Sequence, residues 1–224
     1  MKLINPSSLA ETLNSVNDVF FFGLKIGKSP LEDAAKWITS RQGIKGSYRG
    51  MFAPTQIDFD EGAHVFTGEI NKTFGGTAHI LSEECCRMLN LINSSDSQVQ
   101  SAYKKADELL AGFVKEFKTP GMYCCAKCSV SLWRNVASGG LGGSKKLLRD
   151  GLQILKSHRD GKGRWQGFPY YYTLSALVEI DLPQAGEELK YTIPVCEKLA
   201  KRIPGDDKFS ERRIVLLKRI IEKF

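Results

Sequence analysis

Cysteine and histidine are the residues of this chain best suited to chemistry. Five of the six cysteines stand in two clusters, Cys85-Cys86 and Cys124-Cys125-x-x-Cys128. Thiolate sulfur and imidazole nitrogen are the ligands that a tetrahedral zinc ion prefers. The candidate metal ligands are Cys125, Cys128, His79 and Cys86, with Glu83 or His158 as substitutes in the fourth position. The sequence therefore suggests zinc as a cofactor. One CxxC motif supports this suggestion, and a second CxxC motif is missing from the sequence.

Two other interpretations of the cysteines remain open. A CxxC motif at a helix N-terminus has a thiolate that the helix dipole stabilises, which suits redox chemistry. The βαβ pattern that accompanies such a motif in thioredoxins is missing from the sequence. Free cysteines also fill tight helix–helix contacts as small hydrophobic residues. Metal binding, redox chemistry and simple burial are thus all compatible with the spacing.

A second set of residues suits the binding of an apolar anion. The aromatic run Tyr170–Tyr172 can line an apolar pocket or belong to the core. His158 and Arg159 are cationic candidates at a helix end, where they can bind an anion or cap the helix. The candidate ligand-binding residues are Tyr171, Tyr172, His158 and Arg159. No Ser/His/Asp triad or paired catalytic carboxylates can be singled out, so enzyme activity is left undecided.

Helices must position these residues, because helical signals dominate the chain. An apolar stripe recurs at three- and four-residue steps from Val99 to Phe117, after a capping box at Ser95–Gln98. Further capping boxes begin at Ser8 and Ser29. The periodicity predicts further helices over residues 77–93, 121–138, 144–159, 168–181, 185–202 and 209–224. The stretch from Thr55 to Ile70 is expected to be a long loop or a small hairpin.

Self-similar glycine turns separate these helices. Lys45-Gly46-Ser-Tyr48-Arg-Gly50 aligns with Lys162-Gly163-Arg-Trp165-Gln-Gly167 at an offset of 117 residues (163 − 46), and Pro120-Gly121-Met-Tyr123 is a weaker third copy. Glycine permits the positive φ that reverses the chain after a helix, and the following aromatic residue can set the angle of the next helix. We therefore predict a helix-pair repeat of roughly 40 residues.

The repeat resembles a motif of a known family. Trp37-Ile38-x-x-x-Gln42-x-x-x-Gly46-x-Tyr48 is similar to the QW repeat of the terpene cyclases, whose toroids also house the protein prenyltransferase β-subunits; the second copy has Arg159 in the glutamine position. The resemblance implies an all-α fold in which antiparallel helix hairpins form a complete or partial α/α-toroid over residues 1–224. It also implies an isoprenoid-like ligand in a central cavity. The aspartate-rich motif of the cyclases has no counterpart here.

Composition limits the remaining function classes. The chain has 224 residues, 42% hydrophobic and 25% charged, which is typical of a globular protein. The surplus of seven positive charges (32 − 25) is too small for a nucleic-acid-binding signature, and no apolar stretch is long enough for a membrane span. No targeting segment is visible, so we expect a cytoplasmic protein. A homo-oligomer would complete an open ring.

The alternative function is a non-catalytic helical scaffold for protein–protein interaction.

Overall fold

The computed structural model describes residues 2–203 and 207–224, in which α-helices dominate. The helices are α1 Leu9–Phe22, α2 Lys28–Thr39, α3 Gln56–Asp60, α4 Phe74–Ile92, α5 Ser97–Glu116, α6 Ala126–Ala137, α7 Lys145–Ser157, α8 Tyr170–Glu179, α9 Pro183–Ala200 and α10 Lys208–Lys223. Two-residue strands, β1 Ala63–His64 and β2 Ile70–Asn71, pair antiparallel with Ala63 opposite Asn71. The predicted all-α class is confirmed. Within the described ranges, no helix combines the length and apolarity that crossing a membrane requires.

Three of the helices, α4, α6 and α8, are buried along most of their length. Helix α4 packs against α6, and α6 packs against α8. The remaining long helices cover them: α2 and α5 contact α4, while α7 contacts α6 and α9 contacts α8. One continuous hydrophobic core runs from Leu3 to Ile220 through all of these elements. The buried helices therefore position any side chain that lies at the centre of the molecule.

Side-chain caps fix where several helices begin. Ser8 caps α1 by accepting a hydrogen bond from the backbone N–H of Glu11, as predicted. Asp96 caps α5 instead of the predicted Ser95, because its carboxylate accepts from the N–H groups of two first-turn residues. The box predicted at Ser29 is wrong, since α2 already begins at Lys28 and has no side-chain cap.

The buried carboxylate of Asp58 joins the beginnings of α1 and α3. It accepts hydrogen bonds from the Ser8 hydroxyl at 2.7 Å and from the backbone N–H groups of Leu9 and Ala10. It also accepts from the backbone N–H of Thr55 at 2.8 Å and from the Thr55 hydroxyl. The stretch predicted as a loop or hairpin thus holds α3 and then the short β1–β2 hairpin, and it anchors the N-terminal helix.

The two aligned glycine turns share a left-handed glycine and differ in length, because the bridge that closes the first spans ten residues and that of the second six. Gly46 and Gly163 both have positive φ, +93° and +85°. Each turn is closed by an isolated antiparallel bridge, one from Gln42 to Phe52 and one from Arg159 to Trp165. Since helix α2 ends before the first turn and α7 before the second, both turns reverse the chain after a helix, as the glycine pattern predicts.

Gln42 and Arg159 occupy the same position in the two aligned turns, and each donates hydrogen bonds to a helix later in the chain. The Gln42 side-chain amide donates to the carbonyl oxygen of Ala102 in α5 at 2.9 Å. The Arg159 guanidinium donates to both carboxylate oxygens of Glu188 in α9, at 3.0 and 2.9 Å. These bonds fasten each turn to the helix that follows the buried one.

Candidate metal centre

The CxxC motif lies at the start of a helix rather than inside one. Helix α6 begins at Ala126, not at residue 121 as predicted, and Cys125 is its N-cap. The helix cannot begin earlier because Gly121 and Cys124 have left-handed backbones, with φ of +77° and +53°. A left-handed conformation costs a non-glycine residue roughly 1–2 kcal/mol. The strain at Cys124 turns this residue out of the helical path.

Three side chains from two buried helices and this turn come together. The ligand atoms of His79, Cys124 and Cys128 all lie within 4.8 Å of one another. The Sγ of Cys128 is 4.0 Å from Nδ1 of His79 in α4. The Sγ of Cys125 is 3.5 Å from the Sγ of Cys128. The site thus holds one imidazole and three neighbouring thiols, of which two belong to the compact group with the histidine.

The spacing of this group fits a metal ion. Zn–S and Zn–N bonds of about 2.3 and 2.0 Å separate two tetrahedral ligand atoms by roughly 3.5–3.8 Å. The ligand atoms of His79, Cys124 and Cys128, all within 4.8 Å of one another, must approach by up to about 1 Å to reach this geometry. The arrangement can hold a metal ion through one nitrogen and two sulfur atoms, with one tetrahedral position left over.

Aromatic rings surround the histidine. The His79 imidazole packs edge-on against the Tyr48 ring at 4.5 Å and lies 5.0 Å from the Tyr123 ring. Burial lowers the pKa of His79, which favours the neutral imidazole that a metal requires. Its Nε2 atom is buried and has no hydrogen-bond partner among the described residues. Since Nε2 has no protein hydrogen bond to lose, the imidazole can present either of its two nitrogen atoms to a ligand.

A buried carboxyl group lies one helical turn beyond the histidine. Glu83 is completely buried, and neither of its carboxylate oxygens has a hydrogen-bond partner in the described chain. Burial raises the pKa of Glu83 well above its usual range. Its charge in turn helps to raise the pKa of Cys128. A cation in this neighbourhood would relieve the cost of keeping such a group in the core.

The neighbouring thiols differ strongly in acidity. The hydrogen bond with Cys128 lowers the pKa of Cys125 to about 5, and the backbone N–H groups of the first turn of α6 add to the effect. The same bond, followed by burial, raises the pKa of Cys128. Burial raises the pKa of Cys124 as well. One exposed, acidic thiol therefore stands beside a buried, weakly acidic one.

The structure brings together three of the four predicted metal ligands and adds one that the sequence analysis missed. His79, Cys125 and Cys128 are neighbours, whereas Cys86 is buried apart from the group. Burial and the charge of Asp107 on α5 raise the pKa of the Cys86 thiol. Cys124 takes its place. The glycine at position 121 was the available signal, because a turn there moves the helix start past Cys124.

The four predicted ligand-binding residues lie in separate surroundings. The Tyr172 hydroxyl donates to Glu84 at 2.6 Å in the core, where Glu84 also pairs with Arg134. Tyr171 lies beneath the Arg213 guanidinium of α10. His158 is exposed, and its ring packs edge-on against Phe168. The Arg159 guanidinium is held by Glu188 and covers the Tyr191 ring. Each of the four residues thus has different packing partners.

A pocket of about 380 Å³ lies elsewhere, between α1, α4, α8 and α10. Its apolar lining includes Phe20, Phe21 and Leu91, and its cations are Arg87, Arg219 and Lys223. Glu179 is the acidic residue of the lining, and both of its oxygens are bonded to Arg134 or Arg87. The Nε atom of Arg87 is buried without a partner in the part of the chain that the structure describes. The pocket combines an apolar wall with a surplus of positive charge.

No family model, curated protein or solved structure matches the chain. The fold and the site define an all-α protein with a Cys/Cys/His group of metal-binding geometry.

Proposed function

We propose that the protein binds a zinc ion through His79, Cys124 and Cys128. The observation that carries this proposal is the mutual proximity of their ligand atoms, all within 4.8 Å. The strained backbone of Cys124 supports it, because strain that a turn does not otherwise need is often retained for function. Three protein ligands and one open position are typical of a catalytic zinc site.

The test measures metal bound to the reduced full-length chain after reconstitution with zinc or cobalt. We expect one ion per chain, with sulfur-to-cobalt charge-transfer absorption. Cys128→Ser and His79→Gln should each weaken binding by at least about 100-fold, because each removes a direct ligand. Cys196→Ser is the matched control, since it removes a buried thiol of α9 far along the chain. A reduced wild-type chain that binds no metal at stoichiometric levels contradicts the proposal.

We propose as a second function the binding of an apolar, isoprenoid-like anion in the pocket between α1, α4, α8 and α10. The support is its lining: three cations and one acid beside aromatic and aliphatic side chains, in a volume common for ligand sites. None of the four residues that the sequence suggested for such a ligand lines this pocket.

Decyl phosphate is the probe for the anion site, with decanol and inorganic phosphate as partial ligands. We expect calorimetric binding of decyl phosphate and much weaker binding of either part. Lys223→Gln should weaken it about tenfold, because it removes a charge-assisted contact. Lys218→Gln, on an exposed position of the same helix outside the lining, is the control. Equal binding of decanol and decyl phosphate would exclude a role for the cations.

We propose further that the helix pairs form a partial α/α-toroid. Helices α4, α6 and α8 support this arrangement, because each is buried against its neighbour and because α6 and α8 each follow a glycine turn; α3 and the β1–β2 hairpin stand between the first turn and α4. The centre is filled by ion pairs, among them Arg134 with Glu84 at 2.5 Å. Backbone residual dipolar couplings that give the three buried helices different directions would contradict the toroid.

A further inference from the structure

Two thiols of the metal centre are also placed for disulfide chemistry. Cys125 is exposed at the N-cap of α6, and Cys128 is buried one turn later. Their Sγ atoms are 3.5 Å apart, so side-chain rotation alone can bring them toward the S–S bond length of about 2.0 Å. Both residues are free cysteines. The pair consists of an accessible attacking thiol and a shielded one within its reach.

Cys128 belongs both to the candidate metal group and to the candidate disulfide pair. It belongs to the compact group with His79 and Cys124, and it is also the hydrogen-bond partner of Cys125. A sulfur atom that forms a disulfide has lost the thiolate that a metal ion requires. Metal binding and disulfide formation are therefore alternative uses of the same atom.

We propose that the metal-free protein exchanges its Cys125–Cys128 dithiol with small-molecule disulfides, and that a metal ion on Cys128 blocks the second step. The Cys125 thiolate attacks a disulfide R–S–S–R, forms a mixed disulfide and releases RS⁻, which takes a proton from water. The Cys128 sulfur then attacks the Cys125 sulfur, releases the second RS⁻ and transfers its own proton to it. The protein loses two electrons, and R–S–S–R becomes two RSH.

The exchange itself does not depend on the zinc proposal; only the block does. Cys124 and Cys125 are both exposed and Cys128 is buried, so a dissolved disulfide reaches one of the exposed thiols first, and Cys125 is the one whose sulfur lies 3.5 Å from that of Cys128. Cys124 is the competing partner, since its sulfur also lies within 4.8 Å of Cys128. The test must therefore distinguish these two pairs.

The experiment equilibrates the reduced, chelator-treated full chain with glutathione and oxidised glutathione in varied ratio. Wild type and Cys124→Ser should each lose two thiols, and peptide mapping should show a Cys125–Cys128 bond. In the Cys124→Ser background, Cys128→Ser should stop at one glutathione on Cys125, and Cys125→Ser should react about 100-fold more slowly. Circular dichroism checks that each variant is folded. Absence of thiol loss at every ratio, or a bond to Cys124 in place of Cys125, would overturn the exchange.

The second part of the experiment repeats the exchange with zinc-loaded protein. If the metal holds Cys128, the mixed disulfide on Cys125 should persist, and its resolution should slow about tenfold or more. Equal rates with and without bound zinc would overturn the block while leaving the exchange intact. A chain that binds no zinc but forms the Cys125–Cys128 bond would contradict the metal centre and support the dithiol.

Discussion

Gly121 and Gly151 meet backbone to backbone, which brings the turn before α6 directly onto α7. A Cβ atom on Gly121 would lie 2.1 Å from the backbone nitrogen of Gly151. The Trp133 indole of α6 donates to the Gly121 carbonyl at 2.7 Å and keeps the turn in place. The approach therefore depends on the missing side chain at Gly121, whereas a Cβ atom on Gly151 would meet the Trp133 indole at 2.4 Å.

Gly121→Ala should destabilise the protein by about 2–5 kcal/mol, the sum of a left-handed alanine and an overpacked contact. Gly112→Ala is the matched control, because this exposed glycine of α5 has open space around its Cβ position. The control should gain about 1 kcal/mol through helix propensity. Urea unfolding of both variants measures the difference, and similar midpoints would contradict the packing described here.

Cys124→Gly should separate strain from ligation at the metal centre. The left-handed backbone of Cys124 favours glycine, so the metal-free variant should be about 1 kcal/mol more stable than wild type. The same variant should bind zinc more weakly, because it lacks a thiolate. Cys124→Ala loses the ligand but keeps the strain, and its metal-free stability should show no such gain. Equal stabilities of the glycine and alanine variants would argue against strain at this position.

Glu83→Gln should stabilise the metal-free chain at neutral pH but not in acid. Burial raises the pKa of Glu83 in the folded chain above its unfolded value of 4.5, so rising pH favours the unfolded state, which ionises first. Glutamine does not ionise, so the variant does not lose folding stability in this way as the pH rises. The gain should be present at pH 7 and disappear as the pH falls below the unfolded value of 4.5. Urea unfolding at both pH values tests it, with the exposed Glu187→Gln as control; a pH-independent gain would exclude titration of Glu83.

Glu188→Ala should weaken the second glycine turn. The buried Glu188 carboxylate accepts from the Trp165 indole at 2.8 Å and from Arg159, so its loss leaves an indole N–H without a partner. We expect a loss of about 2 kcal/mol. The neighbouring Glu187 makes an exposed ion pair with Lys156, and Glu187→Ala should change stability by less than about 0.5 kcal/mol. Thermal unfolding of the two variants compares them directly.

Apolar periodicity predicts the helices α4 and α6, and ligand chemistry selects His79 and Cys128 from them as candidate metal ligands. Gly121 signals the turn before α6, but a left-handed cysteine leaves no pattern of its own, so the sequence does not show that the turn extends through Cys124. The error in the start of α6 follows from the same residue.

The charged core also escapes sequence patterns. Arg134 and Glu84 are polar residues that hydrophobic periodicity assigns to the surface, yet the structure buries them together with Tyr172. Only the packing of α4, α6 and α8 shows that their charges compensate one another. The predicted ligand residue Tyr172 belongs to this network, because its hydroxyl donates to Glu84. The pocket is lined by Glu179 and Arg87 and does not include Tyr172.

The five hydrogen bonds to Asp58 have a consequence for biosynthesis. The Ser8 hydroxyl and the first amides of α1 bind a carboxylate 50 residues further along the chain. On the ribosome, α1 therefore emerges well before its anchor and must wait, without the bonds to Asp58, until that residue leaves the exit tunnel.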